Sequence, residues 1–570
     1  MNAPGSLRKY RLLILILLFA ALVGAWLLAR AACRIKAKSI GDPQIVQAIA
    51  NNQTRLLVIG LDGATWKIID QLAARGELPN LQKLMQSGAG GIMHSEIPMI
   101  SPALWTTFAT GVSRRVHGID NFSFKPAGSC ELEPMDSRIR GAAALWEILG
   151  HYGKKVAVVN WNAASPAEPV NGVFIADGAS PKNLGPDYVY PAEWSVKLKD
   201  LPMVRAEWLE QNFSRWNHKL MPKAYDEDRF VAGAALAILD QEKPDLMLVY
   251  LRNIDMVSHL FWKYAFPSGP DYNFEVSPQD QERFGDIIEK YYMFTDELLG
   301  RLVAQSPGYQ LMIFSDHGQA ATYPPKNIFL ELNKLLFELG YLEFRSDDAG
   351  QIDWSKTSLF NLDDFHKAQR GIYINLKGRD PEGTVEFQDY DRFRGKAVKA
   401  LRAVRGESGE KLFKRVLANP GKKNPVVSGP VDPPDIIVEF NPLVLADRYL
   451  QRNKKDREKI FIGNLIWSYS DVSGDHIPEG MILISGEHAV HKTRISAAIY
   501  DVAPTVLWLF DAPVGRDMPG RALKADFNYR DKPVRYIDSW TGKVQIPVRY
   551  KPKAMSAEER ERLKALGYTK

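Results

Sequence analysis

Five short segments of the chain carry side chains able to hold a cation or attack an electrophile, and none of them relies on cysteine. Asp62 follows the apolar run Leu56–Leu61. Ser101 opens Ser-Pro-Ala-Leu-Trp105, Asp255 and His259 stand four residues apart, Asp316 and His317 lie in Ser-Asp-His-Gly318, and His476 ends Ser-Gly-Asp-His. With only two cysteines, Cys33 and Cys130, the chain can build neither a thiolate cluster nor a disulfide framework, so any metal site must come from Asp, Glu and the ten histidines. Carboxylate and imidazole ligands suit Zn²⁺ or Mn²⁺. A serine hydroxyl is a weak nucleophile at neutral pH, but a coordinated cation lowers its pKa and removes the need for a neighbouring general base. Two cations a few Å apart can hold both oxygens of an in-line phosphoryl displacement.

Each segment also has a plain structural use. Asp62-Gly63 can be the turn after a strand, His317 a capped turn, and His259 a satisfied core histidine. Trp105 is expected to pack in the core of its helix rather than to face substrate. His117, in Val-His-Gly-Ile-Asp, is expected to tie down the loop after Gly111. His488 and His491 compete with His476 for the last position, and His94, His151, His218 and His366 have no motif around them. Ser101-Pro102 reads as a helix start, with Ser as N-cap and Pro at the first helical position. Free amides there would face an anion. Pro102 has none, so that support is expected from Ala103 or Leu104.

The elements that must position these residues are short apolar strands at Leu56–Leu61, Val156–Val159, Leu246–Leu251 and Leu311–Phe314. Helical stretches lie between them, as at Pro79–Gln86 and Arg283–Ala304. Strand and helix in alternation predict an α/β fold, a mostly parallel sheet with helices on both faces. Ligands bind such sheets beyond the carboxyl ends of the strands, which is where Asp62, Asp255 and Asp316 fall. The expected organisation is a tail over 1–11, a membrane anchor over 12–33 and a linker over 34–54. The first part of a catalytic domain follows over 55–322, then an inserted α+β cap over 323–458 and the closing part of the catalytic domain over 459–527. Within that closing part, a strand over Met481–Ile484 precedes a helix over Ala498–Phe510. A basic tail occupies 528–570, with a last helix expected over 556–566.

The order of the five segments resembles the alkaline phosphatase superfamily, in its type I phosphodiesterase and nucleotide pyrophosphatase branch. Within that branch the chain is most similar to the phosphohydrolase/phosphomutase proteins. Arg370-Gly-Ile-Tyr-Ile-Asn-Leu-Lys-Gly-Arg379, Pro433-Pro-Asp435 and Tyr500-Asp-Val-Ala-Pro504-Thr support the resemblance, which runs from about Leu56 to Leu523. It implies two divalent metal ions, zinc first and manganese second. Asp62, Ser101, Asp316 and His317 would hold one of them, and Asp255, His259 and His476 the other. Ser101 would be the nucleophile, forming a phosphoseryl intermediate that water then hydrolyses. The pyrophosphatase members carry Thr at the nucleophile position and a separate phosphate-binding Asn, and no Asn stands in the Pro102-Ala103-Leu104-Trp105 stretch, which weakens the case for a nucleotide diester. Sulfatases need Cys or Ser followed by x-Pro-x-Arg, which Ser101-Pro-Ala-Leu-Trp105 does not match.

The expected activity is therefore hydrolysis of phosphomonoesters or phosphodiesters. A phosphomutase is the enzymatic alternative, and a catalytically silent membrane scaffold the non-enzymatic one. The run Leu12–Leu28, extended to Cys33, reaches the ~20 residues that cross a bilayer as a helix. It reads as a retained signal anchor, or as a cleaved signal peptide with Ala29-Arg30-Ala31 as the cleavage site. Basic residues flank both ends, and a short basic tail left inside would place the catalytic domain outside the cytoplasmic membrane. The formal charge of +6 is not gathered into a block interleaved with aromatics, so nucleic acid is not an expected partner.

Overall fold

The computed structural model describes residues 41–544, apart from 271, 323–327, 349, 363–368, 421, 423–429, 442–443, 445–447, 452–458, 469–471, 492–493 and 530–531. The anchor expected over 12–33, His366 and the helix expected over 556–566 lie outside the described residues. Among the described residues no helix is long and apolar enough to cross a membrane.

The main sheet has nine strands: β1 (Leu56–Leu61), β2 (Ala89–His94), β3 (Val156–Val159), β4 (Gly172–Ile175), β5 (Val189–Tyr190), β6 (Leu246–Leu251), β7 (Gln310–Phe314), β8 (Glu479–Ser485) and β9 (Arg494–Ala498). They lie in the order β9-β2-β8-β7-β1-β6-β3-β4-β5. From β7 to β4 every pairing is parallel. The sheet is nevertheless mixed, because β8 runs against both β7 and β2, and β5 runs against β4. An apolar run such as Met481–Ile484 shows that a strand is buried but carries no sign of its direction.

β1 explains why the strands read as uninterrupted apolar runs. All six of its residues are buried, and they alternate between two cores. Leu57, Ile59 and Leu61 join one, Leu56 and Val58 the other. A sheet covered on both faces has no solvent side and so needs no polar alternation. Helices α1 (Ser101–Thr110), α2 (Leu220–Gln241), α3 (Asn253–Ala265), α4 (Ile287–Ala304) and α5 (Val502–Leu509) supply the cover. The second through fourth pack on the face of Leu57, the first and last on that of Leu56.

Two helix expectations need correction. The stretch expected as one helix from Arg283 is divided between Pro278–Phe284 and α4, with Gly285 between them, where a Cβ would come within 2.6 Å of the Gln281 carbonyl oxygen. The helix expected from Ala498 begins at Val502, because Ala498 still pairs with His94 in the sheet.

A third core draws on residues from Leu330 to Leu465. Its antiparallel sheet runs Leu359–Phe360, Gln369–Ile374, Ile436–Phe440, Phe413–Ala418 in that order, and the helix Tyr390–Ala403 gives Ala397, Val398 and Leu401 to the same core.

Candidate metal centre

The site sits beyond the carboxyl ends of β1, β6 and β7. Asp62 leaves β1 with its amide bonded to the Leu251 carbonyl at 3.0 Å. Gly63 turns the chain at a positive φ of 67°, and a Cβ there would lie 3.0 Å from Asp255 Oδ1. Asp316 and His317 follow β7, and both are fully buried. Asp255 and His259 lie one turn apart near the start of α3. His476 arrives from far along the chain on a two-stranded ribbon, in which Gly474–Ile477 runs antiparallel to Gly318–Ala321 and pairs His476 with Gln319. Gly474 permits the ribbon's approach to α3, since a Cβ there would stand 2.4 Å from the Ser258 carbonyl oxygen.

Three imidazoles point the same kind of atom inward. His259 Nδ1 faces the Gly474 carbonyl at 2.8 Å, His476 Nδ1 the Met99 carbonyl at 3.2 Å, and His317 Nδ1 the Gly318 carbonyl at 3.1 Å. A carbonyl can only accept, so each Nδ1 carries a proton, which leaves Nε2 as the atom through which each ring can meet a cation. The Nε2 atoms of His259 and His476 stand 2.9 Å apart, and each is 3.3 Å from Asp255 Oδ1. His317 Nε2 lies 3.4 Å from Asp62 Oδ1 and 3.5 Å from Asp316 Oδ2. Its ring stacks on His476 at 3.5 Å between centroids.

The charge balance favours a cation among these groups. Burial, with Asp316 and Asp255 close by, pushes the Asp62 carboxyl well above its usual range. Burial and Asp255 raise Asp316 to about 7. Burial lowers His259, but the Asp255 carboxylate outweighs it and the group rises to about 9. Asp62 Oδ1, Asp316 Oδ2 and His317 Nε2 are buried with no hydrogen-bond partner. Buried polar atoms are nearly always satisfied, and carboxylates forced together need a cation. These donors fit a divalent metal. Two groups have ligand atoms mutually within 4.8 Å, Asp255 with His259 and His476, and Asp62 with Asp255 and His317. Asp255 therefore belongs to both, and Asp316 reaches the second through its contact with His317.

Ser101 is the first residue of α1, and its hydroxyl forms no hydrogen bond among the described residues. The Ala103 and Leu104 amides both bond to the Ile100 carbonyl, at 2.9 and 3.0 Å, so the anion support expected from them is already used. Chain neighbours bracket Ser101 against the ligands, Met99 through His476 and Trp105 through its indole, which donates to Asp62 Oδ2 at 3.2 Å. Trp105 is wholly buried, as core packing requires, and is also a polar partner of the site. His117 bonds Thr107 Oγ1 at 3.0 Å and the Ile119 amide at 3.1 Å, tying the loop after α1 to the helix. His488 packs on Tyr529 instead of entering the site, and His94 bonds Ser496.

Sequence reasoning missed the residues around these ligands. Gln319 donates to Asp255 Oδ1, and Tyr250 donates to Asp62 Oδ2. A cleft beside Pro102 is lined by Asn160, Asn162, Asp177 and Arg252, among others. No Asn stands beside Ser101 in the chain, but the segment that follows β3 brings Asn160 and Asn162 into the cleft that Pro102 also lines. Position at a strand's carboxyl end was the available signal for Tyr250, Asn160 and Asn162.

Fold and site together define an α/β protein able to hold metal among carboxylates and imidazoles. The type I phosphodiesterase/nucleotide pyrophosphatase model matches residues 56–424, and the chain belongs to that family, within the alkaline phosphatase superfamily. It is a phosphoric ester hydrolase of a metal-dependent family. Similar solved structures include phosphonoacetate hydrolase from Sinorhizobium meliloti 1021, at 16% identity and a TM-score of 0.45, covering 81% of this chain and 96% of that one. Human ectonucleotide pyrophosphatase/phosphodiesterase 5 is also similar, at 16% identity and a TM-score of 0.45, covering 83% and 100% respectively. No curated protein matches the sequence.

Proposed function

We propose that the protein hydrolyses phosphomonoesters or phosphodiesters through a phosphoserine on Ser101, with two divalent metal ions, zinc or manganese, held by Asp62, Asp316, His317, Asp255, His259 and His476. The observation that carries this is the set of buried, unpartnered ligand atoms beside a serine with an unengaged hydroxyl. Bound there, the cations would offset the carboxylate charge, polarise the phosphoryl oxygens and lower the pKa of the serine hydroxyl. Ser101 Oγ bonds to phosphorus as the bond to the ester's alcohol oxygen breaks, and water then displaces Ser101. The tightly packed α1 holds Ser101 in place, which fixes the direction of attack. The cleft beside Pro102 takes the organic part of the ester. Residues 323–458, between the catalytic stretches 55–322 and 459–527, form a cap that selects substrate. The segment 12–33 tethers the enzyme, with the catalytic domain outside the cytoplasmic membrane.

Ser101→Ala should abolish turnover of a panel of mono- and diesters while metal content, measured by mass spectrometry, stays near that of the parent. Full activity in that variant would overturn the nucleophile assignment. A chelator should remove activity, and added Zn²⁺ or Mn²⁺ should restore it. Hydrolysis in ¹⁸O-water should place the label in released phosphate, whereas a phosphomutase would leave it unlabelled.

A further inference from the structure

Asp62 receives both of its donors on one oxygen. The Tyr250 hydroxyl and the Trp105 indole N–H, the latter at 3.2 Å, both reach Oδ2, while Oδ1 is buried without any hydrogen-bond partner. A carboxylate held this way cannot rotate without losing two hydrogen bonds. Neither donor can easily move. The Trp105 ring lies 4.7 Å from Tyr250, 5.1 Å from both Phe108 and Trp161, and 5.8 Å from Phe314, and its backbone carbonyl accepts from Trp161 Nε1 at 3.0 Å. Tyr250 is fixed in β6, where it pairs with Gly60 of β1.

The Tyr250 hydroxyl has a further partner, Asn162 Nδ2 at 3.0 Å. Ionised, as a metal ligand must be, Asp62 can only accept, so the one hydroxyl hydrogen goes to it and Tyr250 must accept from Asn162. The Asn162 side chain therefore turns its amino group to Tyr250. Its carbonyl oxygen is left without a protein partner among the described residues, on a residue that lines the cleft. A donor placed on that oxygen would complete a run of hydrogen bonds all polarised toward Asp62, an arrangement in which each bond strengthens the next.

Building on the proposed phosphoester hydrolysis, we infer that Tyr250 and Trp105 are positioning residues that hold Asp62 with Oδ1 toward a cation, and that Asn162 joins this brace to substrate by accepting a hydrogen bond from a hydroxyl or amino group on the alcohol portion of the ester. The substrate class is then an ester whose alcohol carries a donor close to phosphorus, such as a polyol or amino alcohol, rather than an aryl ester.

The test measures zinc affinity of the full chain by competition with a chromogenic chelator. Tyr250→Phe keeps the ring and should lower affinity about 10- to 100-fold, the usual effect of removing a partner of a metal ligand. Trp105→Phe should act in the same direction, and the far-UV circular dichroism of both metal-free variants should match the parent. Asn162→Ala should weaken zinc binding less, and that effect should vanish in the Tyr250→Phe background. In the metal-loaded enzyme, Asn162→Ala should lower kcat/KM for glycerol phosphate about tenfold more than for phenyl phosphate. A parent protein that binds no zinc or manganese overturns the proposed function and the brace with it. A metal-binding parent with Tyr250→Phe equal to it overturns the brace alone. Equal loss for both esters in Asn162→Ala, or no preference for the glycerol ester in the parent, overturns the substrate assignment.

Discussion

Gly60 shows how tightly single residues are constrained at this site. It sits in β1, two residues before Asp62, and a Cβ added there would lie 2.3 Å from Trp105 Cζ3 and 2.4 Å from Cη2. A strand glycine ordinarily weakens a sheet, and here it gives the indole the room to lie against β1 and still reach Asp62. Gly60→Ala should therefore force the ring aside. Overpacking a close-fitted core costs about 1–3 kcal/mol, and urea unfolding of the metal-free protein should show a loss of that size. Displacing Trp105 also breaks its bond to Asp62, so zinc affinity should fall together with stability. An unchanged unfolding midpoint would mean that the indole has another place to go.

At the scale of elements, much was legible in the sequence and the rest was hidden for identifiable reasons. Val156–Val159 and Leu246–Leu251 begin and end where their apolar runs do, because strands buried on both faces have apolar composition as their whole signature. Asp62, Asp255, Asp316 and His317 stood out because each follows such a run or opens the next helix. The antiparallel course of β8 and the meeting of His476 with His259 depend on pairings between distant segments, which local pattern does not encode. Asp228 in α2 is another long-range case. It is 1% exposed and accepts from Tyr291 of α4 and from Asn253 at the start of α3, both at 2.8 Å, so it ties α2 and α4 to α3, the helix that carries both Asp255 and His259. Burial raises its carboxyl from 3.8 to about 7, partly opposed by those two hydrogen bonds. A raised carboxyl pKa favours the folded state fully below about pH 4. That contribution declines as pH rises, because the unfolded chain releases its proton first, and it is gone once pH passes about 7. Asn at this position can still accept from Asn253, and its amide can donate to the Tyr291 hydroxyl, which has the Ala224 carbonyl 3.0 Å away as an alternative acceptor. Asp228→Asn should therefore remove this decline, gaining on the order of a few kcal/mol relative to the parent between pH 4.5 and 7.5. Denaturant midpoints measured for both proteins across that range would show it, and parallel pH profiles would rule it out.

Across the whole molecule, the joint between the sheet-bearing body and the unit around the third core is a buried ion cluster. Lys125 follows the short strand Ser123–Phe124 and is wholly buried, with Nζ 2.7 Å from both Asp380 and Asp432. Arg379 bonds Asp435 at 2.9 Å and lies 3.1 Å from Asp380, while Lys422 contacts Asp432 and Asp435. Lys125, Arg379 and Lys422 thus balance Asp380, Asp432 and Asp435. The backbone reinforces the joint, with the Ala127 amide on the Pro430 carbonyl at 3.0 Å and the Asp432 amide on the Lys125 carbonyl at 2.8 Å. None of this was legible in the sequence, since Lys125 and Asp432 are 307 residues apart and a lone lysine normally signals surface. A fully paired buried cluster contributes little net stability, because desolvation offsets the attraction, but removing one member leaves an uncompensated charge and costs about 3–5 kcal/mol. Lys125→Met retains most of the side-chain volume and leaves three carboxylates facing two cations. If the cluster holds the two units together, thermal unfolding should split into two transitions, and hydrogen exchange at 125–127 and 430–432 should quicken before the main sheet loosens. Esterase activity on small substrates should then survive better than selectivity among large ones, because the proposed metal ligands lie in the sheet-bearing body. A single, unshifted transition in Lys125→Met would show that the apolar contacts alone hold the joint.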